Sequence, residues 1–207
     1  MNLPIKKAFF NNSIFDVFPD VYLPAEDSFF FAEKLSLLDN FASVLDMGTG
    51  SGILAIVAAK KSRNVVAIDL NPFAIRCANN NAKKNGVNDK IQCFQGDLFS
   101  ALNENVTFDL ILFNSPYLPS EESETNFWLG RSWAGGINGR NVIDKFILNV
   151  SSYLKKTGQI LLLQSTLSNV DQTMEIFSTK GFEAQILDSY PLAFFEKLVL
   201  IKAQHSQ

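Results

Sequence analysis

Apolar residues occur along the chain in short runs, separated by longer segments in which they recur with helical spacing. The runs are typical of buried strands, and the segments between them are typical of amphipathic helices. The predicted strands are 43–47, 64–69, 91–95, 108–113, 159–164, 182–188 and 194–202. The predicted helices are 24–38, 53–61, 71–85, 139–154 and 168–181.

The alternation of strands and helices predicts the fold class. Because crossovers are right-handed, we expect an α/β, doubly wound, mostly parallel, seven-stranded Rossmann-like sheet with helices on both faces. The last two strands are joined by a short turn at 190–191, so the last strand is expected to be antiparallel to its neighbour. Residues 1–40, rich in Phe, are expected to form an N-terminal extension and helix that pack on the main domain, 41–207, which is expected to be one structural unit.

Composition narrows the function classes. The chain has 207 residues, of which 47% are hydrophobic and 19% charged, which is typical of a globular protein. Its net charge of −3 argues against a nucleic-acid binder with a broad basic face, so direct nucleic-acid binding is not expected. No apolar run approaches the length of a membrane span, so we expect no membrane association and an intracellular, cytoplasmic protein.

The scarcity of histidine and cysteine argues against histidine-dependent catalysis and against a metal site. His205 lies near a polar C-terminus, where disorder is common, so a His base, a Ser–His pair or His metal ligands are not expected. Cys77 and Cys93 are isolated and lack metal-binding spacing. We therefore predict buried free thiols and no metal site.

A glycine-rich segment at 46–52 follows the first main strand and indicates a ligand site. Gly48, Gly50 and Gly52 have the spacing G-x-G-x-G, which differs from that of dinucleotide-binding enzymes. Asp46 stands just before them, and its carboxylate would oppose a diphosphate. It favours a ligand with an ammonium and a sulfonium, which indicates S-adenosylmethionine.

Two further acids follow neighbouring strands. Asp69 ends the second main strand, where an acid can accept both ribose hydroxyls. Asp97 and Leu98 follow the third strand, where Asp97 can accept from the adenine amine while Leu98 backs the ring. The alternative for Asp97 is a solvated acid in a turn.

Asn114, Ser115, Pro116 and Tyr117 follow the fourth main strand. A planar –NH₂ group has a delocalised lone pair, so catalysis must hold it through its hydrogens. The Asn114 side-chain oxygen and the Ser115 carbonyl are two adjacent acceptors whose bonds strengthen as positive charge develops on nitrogen. Tyr117 can stack on the planar group, and Pro116 stiffens the turn.

Four blocks of the chain resemble the HemK family of protein-glutamine methyltransferases, in the branch that modifies eukaryotic and archaeal class-1 translation release factors. These blocks are VYLPAEDS at 21–28, DMGTGSG at 46–52, NSPY at 114–117 and SWAGGINGR at 132–140. The resemblance implies a class I methyltransferase domain that transfers a methyl group from S-adenosylmethionine to the glutamine side chain of a Gly-Gly-Gln tripeptide. By match, Ser28 stands where the family has Thr or Ser near the methionine moiety.

The chain departs from the family at Ser115, where the family has Pro. Because only the backbone carbonyl of this residue is expected to bind substrate, Ser is expected to perform the same role as Pro, with a less rigid loop. The resemblance also implies a small zinc-binding activator subunit that pairs with a sheet edge. If the strand order is the usual 3-2-1-4-5 with the last two strands beyond, Ile91–Gln95 is the outermost strand, and it carries neither charge nor proline, which favours addition of a partner strand. The alternative is that a loop or the Phe-rich N-terminus covers it.

Other interpretations remain open at this stage. The residues NSPY at 114–117 also suit an adenine N6-methyltransferase that acts on nucleic acid. A second alternative is that the chain is a catalytically weak cofactor-binding scaffold. Trp133 in the long segment 118–138 is either a packed anchor or part of a substrate-facing lid. Arg140 at a helix start opposes the helix dipole, so we expect a partner, for which Asp144 is the simplest choice.

Overall fold

A computed structural model describes residues 5–206, so residues 1–4 of the predicted extension lie outside the described part. The strands are β1 Lys6–Phe10, β2 Ser13–Val17, β3 Ser43–Met47, β4 Asn64–Asp69, β5 Ile91–Gln95, β6 Phe108–Asn114, β7 Leu154–Ser165, β8 Phe182–Pro191 and β9 Lys197–His205. The α-helices are α1 Glu26–Leu37, α2 Ile53–Ala59, α3 Pro72–Lys84, α4 Trp128–Arg131, α5 Asn141–Val150 and α6 Val170–Thr179.

The sheet has the predicted architecture. Seven strands follow the order β5-β4-β3-β6-β7-β9-β8, and β1 pairs with β2 in a separate hairpin. The strand β9 is antiparallel to both β7 and β8, whereas β3 with β4, β4 with β5, and β6 with β7 are parallel pairs. The expected α/β, mostly parallel sheet with an antiparallel last strand is confirmed.

The described residues form two compact units, which divide after Ala101. In the first unit, the hairpin is fixed to α3 by the fully buried Asn81. The Asn81 side chain accepts from the N–H of Asp16 at 2.8 Å and donates to the carbonyls of Asp16 and Ser51, both at 2.9 Å. The side chain therefore ties the hairpin to the glycine-rich segment as well as to α3. The predicted division at residue 40 stays a prediction.

The second unit contains β6, β7, β9 and β8 with α5 and α6. Its core lies under α5, where the Phe113 and Phe146 rings pack with centroids 4.5 Å apart. No helix among residues 5–206 is long and apolar enough to cross a membrane.

Several element bounds differ from the prediction, each for a local reason. The helix α5 ends at Val150, followed by a 3₁₀ turn, and β7 begins at Leu154, which pairs with Phe108. The predicted irregular segment 118–138 contains α4 and a 3₁₀ turn, Glu122–Asn126. The expectation of disorder at His205 is wrong, because its ring stacks on Phe182 at 4.8 Å within the β8–β9 pair.

Candidate functional site

The glycine-rich segment turns back over the end of β4. The φ angles of Gly48, Gly50 and Gly52 are all positive, at 68°, 54° and 83°. The N–H groups of Gly48 and Thr49 both donate to the carbonyl of Ile68, at 2.8 and 3.0 Å. These bonds fix the loop at the carboxyl ends of β3 and β4, where a doubly wound fold binds its ligands.

Two of the glycines have different surroundings. An added Cβ at Gly52 would lie 3.1 Å from the Cα and Cβ atoms of Ala78 in α3, so this position requires glycine for close packing as well as for conformation. An added Cβ at Gly50 would meet nothing within 4 Å. Open space therefore lies beside the backbone of Gly50, where a ligand can approach.

Asp46 is buried under the loop, with 1% of its surface exposed. Its Oδ2 accepts from the Thr49 hydroxyl at 2.6 Å and from the N–H of Ala55 at 3.0 Å, whereas its Oδ1 has no hydrogen-bond partner among the described residues. Burial raises the pKa of Asp46 to about 7, and the two hydrogen bonds offset only part of that rise. A buried carboxylate with one unsatisfied oxygen fits a ligand that carries positive charge.

Asp69 connects the loop to the next helix. Its Oδ2 accepts from the N–H of Gly50 and its Oδ1 from the N–H of Asn71, both at 2.8 Å. Burial raises the pKa of Asp69, while these two backbone donors lower it in part. A carboxylate can accept about four hydrogen bonds, so the two ribose hydroxyls remain compatible with this geometry. The sequence indicated only a ligand role for Asp69, whereas the structure shows that Asp69 also holds the glycine-rich loop through Gly50.

Asp97 and Leu98 lie at the adjacent strand end. The N–H of Gly96 donates to the carbonyl of Asp69 at 3.0 Å, which joins the ends of β4 and β5. Leu98 has a φ of +47°, a conformation that is costly for a residue with a Cβ and that clusters at functional sites. The structure thus brings Asp46, Asp69 and Asp97 to neighbouring strand ends. Because Asp97 is exposed, its role in binding adenine stays a prediction.

Ser28 lies in the first turn of α1 and is buried. Its hydroxyl donates to Oδ1 of Asp27 at 3.2 Å, and the Tyr22 hydroxyl donates to the same oxygen at 3.3 Å. Burial, followed by the charge of Asp27, raises the pKa of Tyr22 well above its ordinary value, so the phenol remains a donor. No local sequence pattern indicates this Tyr22–Asp27 pair. The assignment of Ser28 to the methionine moiety stays a prediction.

In the second unit, β6 ends at Asn114, which pairs with Leu163 of β7. The next residue, Ser115, is buried, and both its N–H and its hydroxyl donate to the Leu163 carbonyl, at 3.3 and 2.8 Å. Proline can make neither bond, because it has no N–H and no hydroxyl. These two bonds offset the lower rigidity expected from serine at this position.

The segment 132–140 pairs with the chain that follows Tyr117. The N–H of Leu118 donates to the carbonyl of Trp133 at 2.9 Å, and the N–H of Gly135 donates back to Leu118 at 2.8 Å. An added Cβ at Gly139, whose φ is +72°, would overlap the carbonyl of Tyr117. The backbone of the half-buried Trp133 is therefore held in a paired segment. Both interpretations of its side chain, as a packed anchor or as part of a lid, stay predictions.

Arg140 has the expected partner and several more. Its guanidinium donates to Oδ1 of Asp144 at 2.6 Å, and also to the Thr173 hydroxyl at 2.9 Å and to the carbonyls of Ser168 and Asn169 at 2.5 and 2.7 Å. Only 1% of Arg140 is exposed. This buried cation joins the start of α5 to the start of α6.

Both cysteines are free thiols, as predicted, but only Cys77 is buried as the prediction also expected. Cys77 is buried and donates to the Asp16 carbonyl, with a sulfur–oxygen distance of 3.0 Å, and Cys93 is half-buried. Burial raises the pKa of each thiol to about 11. Among residues 5–206 no group of three or more His, Cys, Asp or Glu side chains is arranged to hold a metal ion.

Comparison with known proteins places these features in a family. Residues 30–115 match the model of the ribosomal protein L11 methyltransferase (PrmA) family. A protein of Methanocaldococcus jannaschii, provisionally named a protein N5-glutamine methyltransferase, is 41% identical over 186 residues, which cover 88% of this chain and 91% of the relative. Methyltransferase HEMK2 of Homo sapiens is 32% identical over 176 residues, which cover 80% and 81% of the two chains.

A bacterial relative and two solved structures extend the comparison. The release factor glutamine methyltransferase of Geobacter sulfurreducens is 30% identical, and the match covers 81% of this chain but 61% of that protein. A chain of the E. cuniculi Mtq2–Trm112 complex, described as responsible for methylation of the eRF1 translation termination factor, superposes with a TM-score of 0.70 at 25% identity, covering 90% of this chain and 99% of that one. Trm5b of Pyrococcus abyssi superposes at 0.72 with 20% identity, covering 100% and 57%, which is a likeness of fold alone.

Proposed function

We propose that this chain, which belongs to the HemK family of protein N5-glutamine methyltransferases, methylates the side-chain amide nitrogen of a glutamine in a class-1 translation release factor. The proposed acceptor is the glutamine of a Gly-Gly-Gln tripeptide, and the proposed methyl donor is S-adenosylmethionine. Because such an enzyme acts where translation factors act, we place it in the cytoplasm.

The proposed cofactor site is formed by the ends of β3, β4 and β5. Bound there, S-adenosylmethionine supplies an electrophilic methyl group on a positively charged sulfur. Asp46 provides the opposing negative charge, and the open space beside Gly50 admits the ligand next to the loop. Asp69 accepts from the ribose hydroxyls, Asp97 accepts from the adenine amine, and Leu98 backs the ring. Ser28 completes the proposed set near the methionine moiety.

The proposed acceptor site is formed by the four residues from Asn114 to Tyr117. The Asn114 side-chain oxygen and the Ser115 carbonyl accept the two hydrogens of the glutamine amide, which directs the nitrogen lone pair at the methyl group. These two acceptors would hold the nitrogen while it receives the methyl group that bound S-adenosylmethionine would supply, and the proton that the nitrogen then loses would pass to water. Tyr117 holds the amide plane in line, and Pro116 limits movement of the turn.

The observation that carries this proposal is the anchorage of Ser115. Its N–H and hydroxyl are both committed to the Leu163 carbonyl, so its own carbonyl has a fixed position directly after β6. Preorganised acceptors of this kind stabilise charge that develops in the transition state without reorganisation. A scaffold that only binds cofactor does not need a preorganised Ser115 carbonyl.

An activator subunit is proposed as a partner at the edge of the sheet. The strand β5 is the outermost strand on its side, as predicted. Phe94 on this strand is 42% exposed, and Cys93 is half-buried. An apolar edge without charge or proline favours addition of a partner strand. Any zinc would belong to that partner.

The test is methyl transfer from labelled S-adenosylmethionine to a cognate class-1 release factor. We expect label that is sensitive to protease, resistant to nuclease and lost when the acceptor glutamine is replaced by alanine. Label that is removed by nuclease would support the adenine N6-methyltransferase alternative, and absence of label with normal cofactor binding would support the scaffold.

A further inference from the structure

Two phenylalanines in the β8–β9 connection are fully exposed. Phe194 is 97% exposed and Phe195 is 101% exposed, the highest values among the large apolar side chains that the structure describes. Single exposed apolar residues are common, but an adjacent pair with no burial at all forms an apolar projection.

The backbone of both phenylalanines adopts a strained conformation that is unfavourable for bulky side chains. Phe194 and Phe195 have φ angles of +55° and +65°. This region suits glycine or asparagine, and a bulky residue there is an outlier. Two consecutive bulky residues in this region are a local conflict of the kind that natural proteins keep mainly at functional positions.

The connection is nonetheless held at its base. The N–H of Leu192 donates to the carbonyl of Glu196 at 2.8 Å, which closes the turn. The Ser165 hydroxyl donates to the Glu196 carboxylate at 2.5 Å, and the N–H of Lys197 donates to the Thr166 hydroxyl at 3.1 Å. The two rings therefore project from a turn that is fixed to the carboxyl end of β7.

The position of this turn relates it to the acceptor site within the same unit. The strand β9 is antiparallel to both β7 and β8, so β8 runs in the same direction as β7 and β6. The carboxyl ends of β8 and β6 therefore lie on the same side of the sheet. The turn begins at the end of β8, and β6 ends on that side at Asn114. Leu167, which follows the carboxyl end of β7, is also 53% exposed on this side.

We propose that Phe194 and Phe195 are a docking element for the folded acceptor protein, separate from the residues that hold its glutamine. This inference rests on the proposed function, because it takes the acceptor to be a protein larger than the methylated tripeptide. The partner surface is an apolar pocket on the release factor, which the two rings fill while the glutamine reaches Asn114. Large aromatic anchors on a rigid support are typical centres of binding energy in protein interfaces.

The experiment compares an intact cognate release factor with a short peptide that contains Gly-Gly-Gln. The test variant replaces both phenylalanines by asparagine (Phe194→Asn with Phe195→Asn), which tolerates positive φ. We expect KM for the intact protein to rise about 30-fold with little change in kcat, as for loss of a strong interface anchor. We expect activity on the peptide and affinity for S-adenosylmethionine to stay unchanged.

Stability separates docking from a structural role. Because asparagine relieves the strain, the melting temperature of the double variant is expected to equal or exceed that of the original chain. Leu148→Ala is the matched control, since Leu148 is 52% exposed in α5 of the same unit, and it is expected to change none of these quantities.

Direct binding of the release factor is measured in parallel, without turnover. Unchanged affinity and KM in the double variant would overturn the docking proposal, as would equal loss of activity on the peptide. Self-association of the original chain that the double variant abolishes would assign the pair to a second copy instead. If the release factor binds through this pair but is never methylated, the docking proposal stands and the proposed function fails.

Discussion

Replacement of Asp69 by alanine tests the cofactor site most completely, because this carboxylate has a structural and a proposed ligand role. The change removes the acceptor for the N–H groups of Gly50 and Asn71, each at 2.8 Å. Hydrogen bonds to a charged group contribute about 1.5–3 kcal/mol. If the ribose hydroxyls bind here, affinity for S-adenosylmethionine is expected to fall by about 1.5–3 kcal/mol, or about 10-fold to 150-fold.

Calorimetric titration with S-adenosylmethionine measures this loss, and thermal unfolding without cofactor measures the structural part. Asp69→Asn is expected to fall between the original chain and Asp69→Ala, because its amide keeps one acceptor oxygen but sets a second donor against one backbone N–H. Asp97→Ala is the comparison at an exposed acid, and it is expected to leave the melting temperature unchanged. Unchanged cofactor affinity in Asp69→Ala would refute the assignment of Asp69 to the ribose.

The remaining predictions concern the acceptor, pH, the buried cation and the partner. Asn114→Ala is expected to lower single-turnover methylation about 100-fold or more while cofactor binding survives, and near-normal turnover would contradict the mechanism. Because the pKa of Asp46 is raised to about 7 and its ionised form favours the cofactor, affinity is expected to fall about tenfold per pH unit below 7, with a flat profile in Asp46→Asn. The free energy of unfolding without cofactor is expected to change with pH in the opposite direction. A raised pKa of Asp46 stabilises the fold at low pH, and this stabilisation is lost as pH rises through about 7. Arg140→Ala is expected to lower the free energy of unfolding in urea by about 3–5 kcal/mol, whereas the exposed Arg131→Ala changes it by less than about 1 kcal/mol. Cys93→Lys is expected to abolish co-purification with the activator subunit, and a complex of undiminished stability would exclude partner binding at β5.

The strands of the first unit were predictable from the sequence. The strands β3, β4 and β5 have the predicted bounds, because polar or small residues stand at or directly beside both ends of each strand. The strand-end acids were predictable for the same reason. Once the strand bounds are known, Asp46 and Asp69 must stand at the carboxyl ends of parallel strands.

Other features depend on contacts between residues far apart in sequence, which no local pattern reveals. Asn81 is one polar residue among several on a helix, and its role follows from the hairpin that packs beside it. The anchorage of Ser115 requires the Leu163 carbonyl, which lies 48 residues further along the chain. The predicted start of the last strand at 194 was wrong, because apolar character indicates a buried strand and Phe194 instead lies exposed in a turn.

Peptide mass spectrometry of a methylated release factor tests the central claim most directly. The chain is incubated with labelled S-adenosylmethionine, the cognate class-1 release factor and, in a parallel reaction, the activator subunit, and the label is then mapped. We predict one methyl group on the side-chain amide of the glutamine in the Gly-Gly-Gln tripeptide, absent when Asn114 is replaced by alanine. Label on any other residue type, or equal label at that glutamine with the Asn114→Ala variant, would contradict the account.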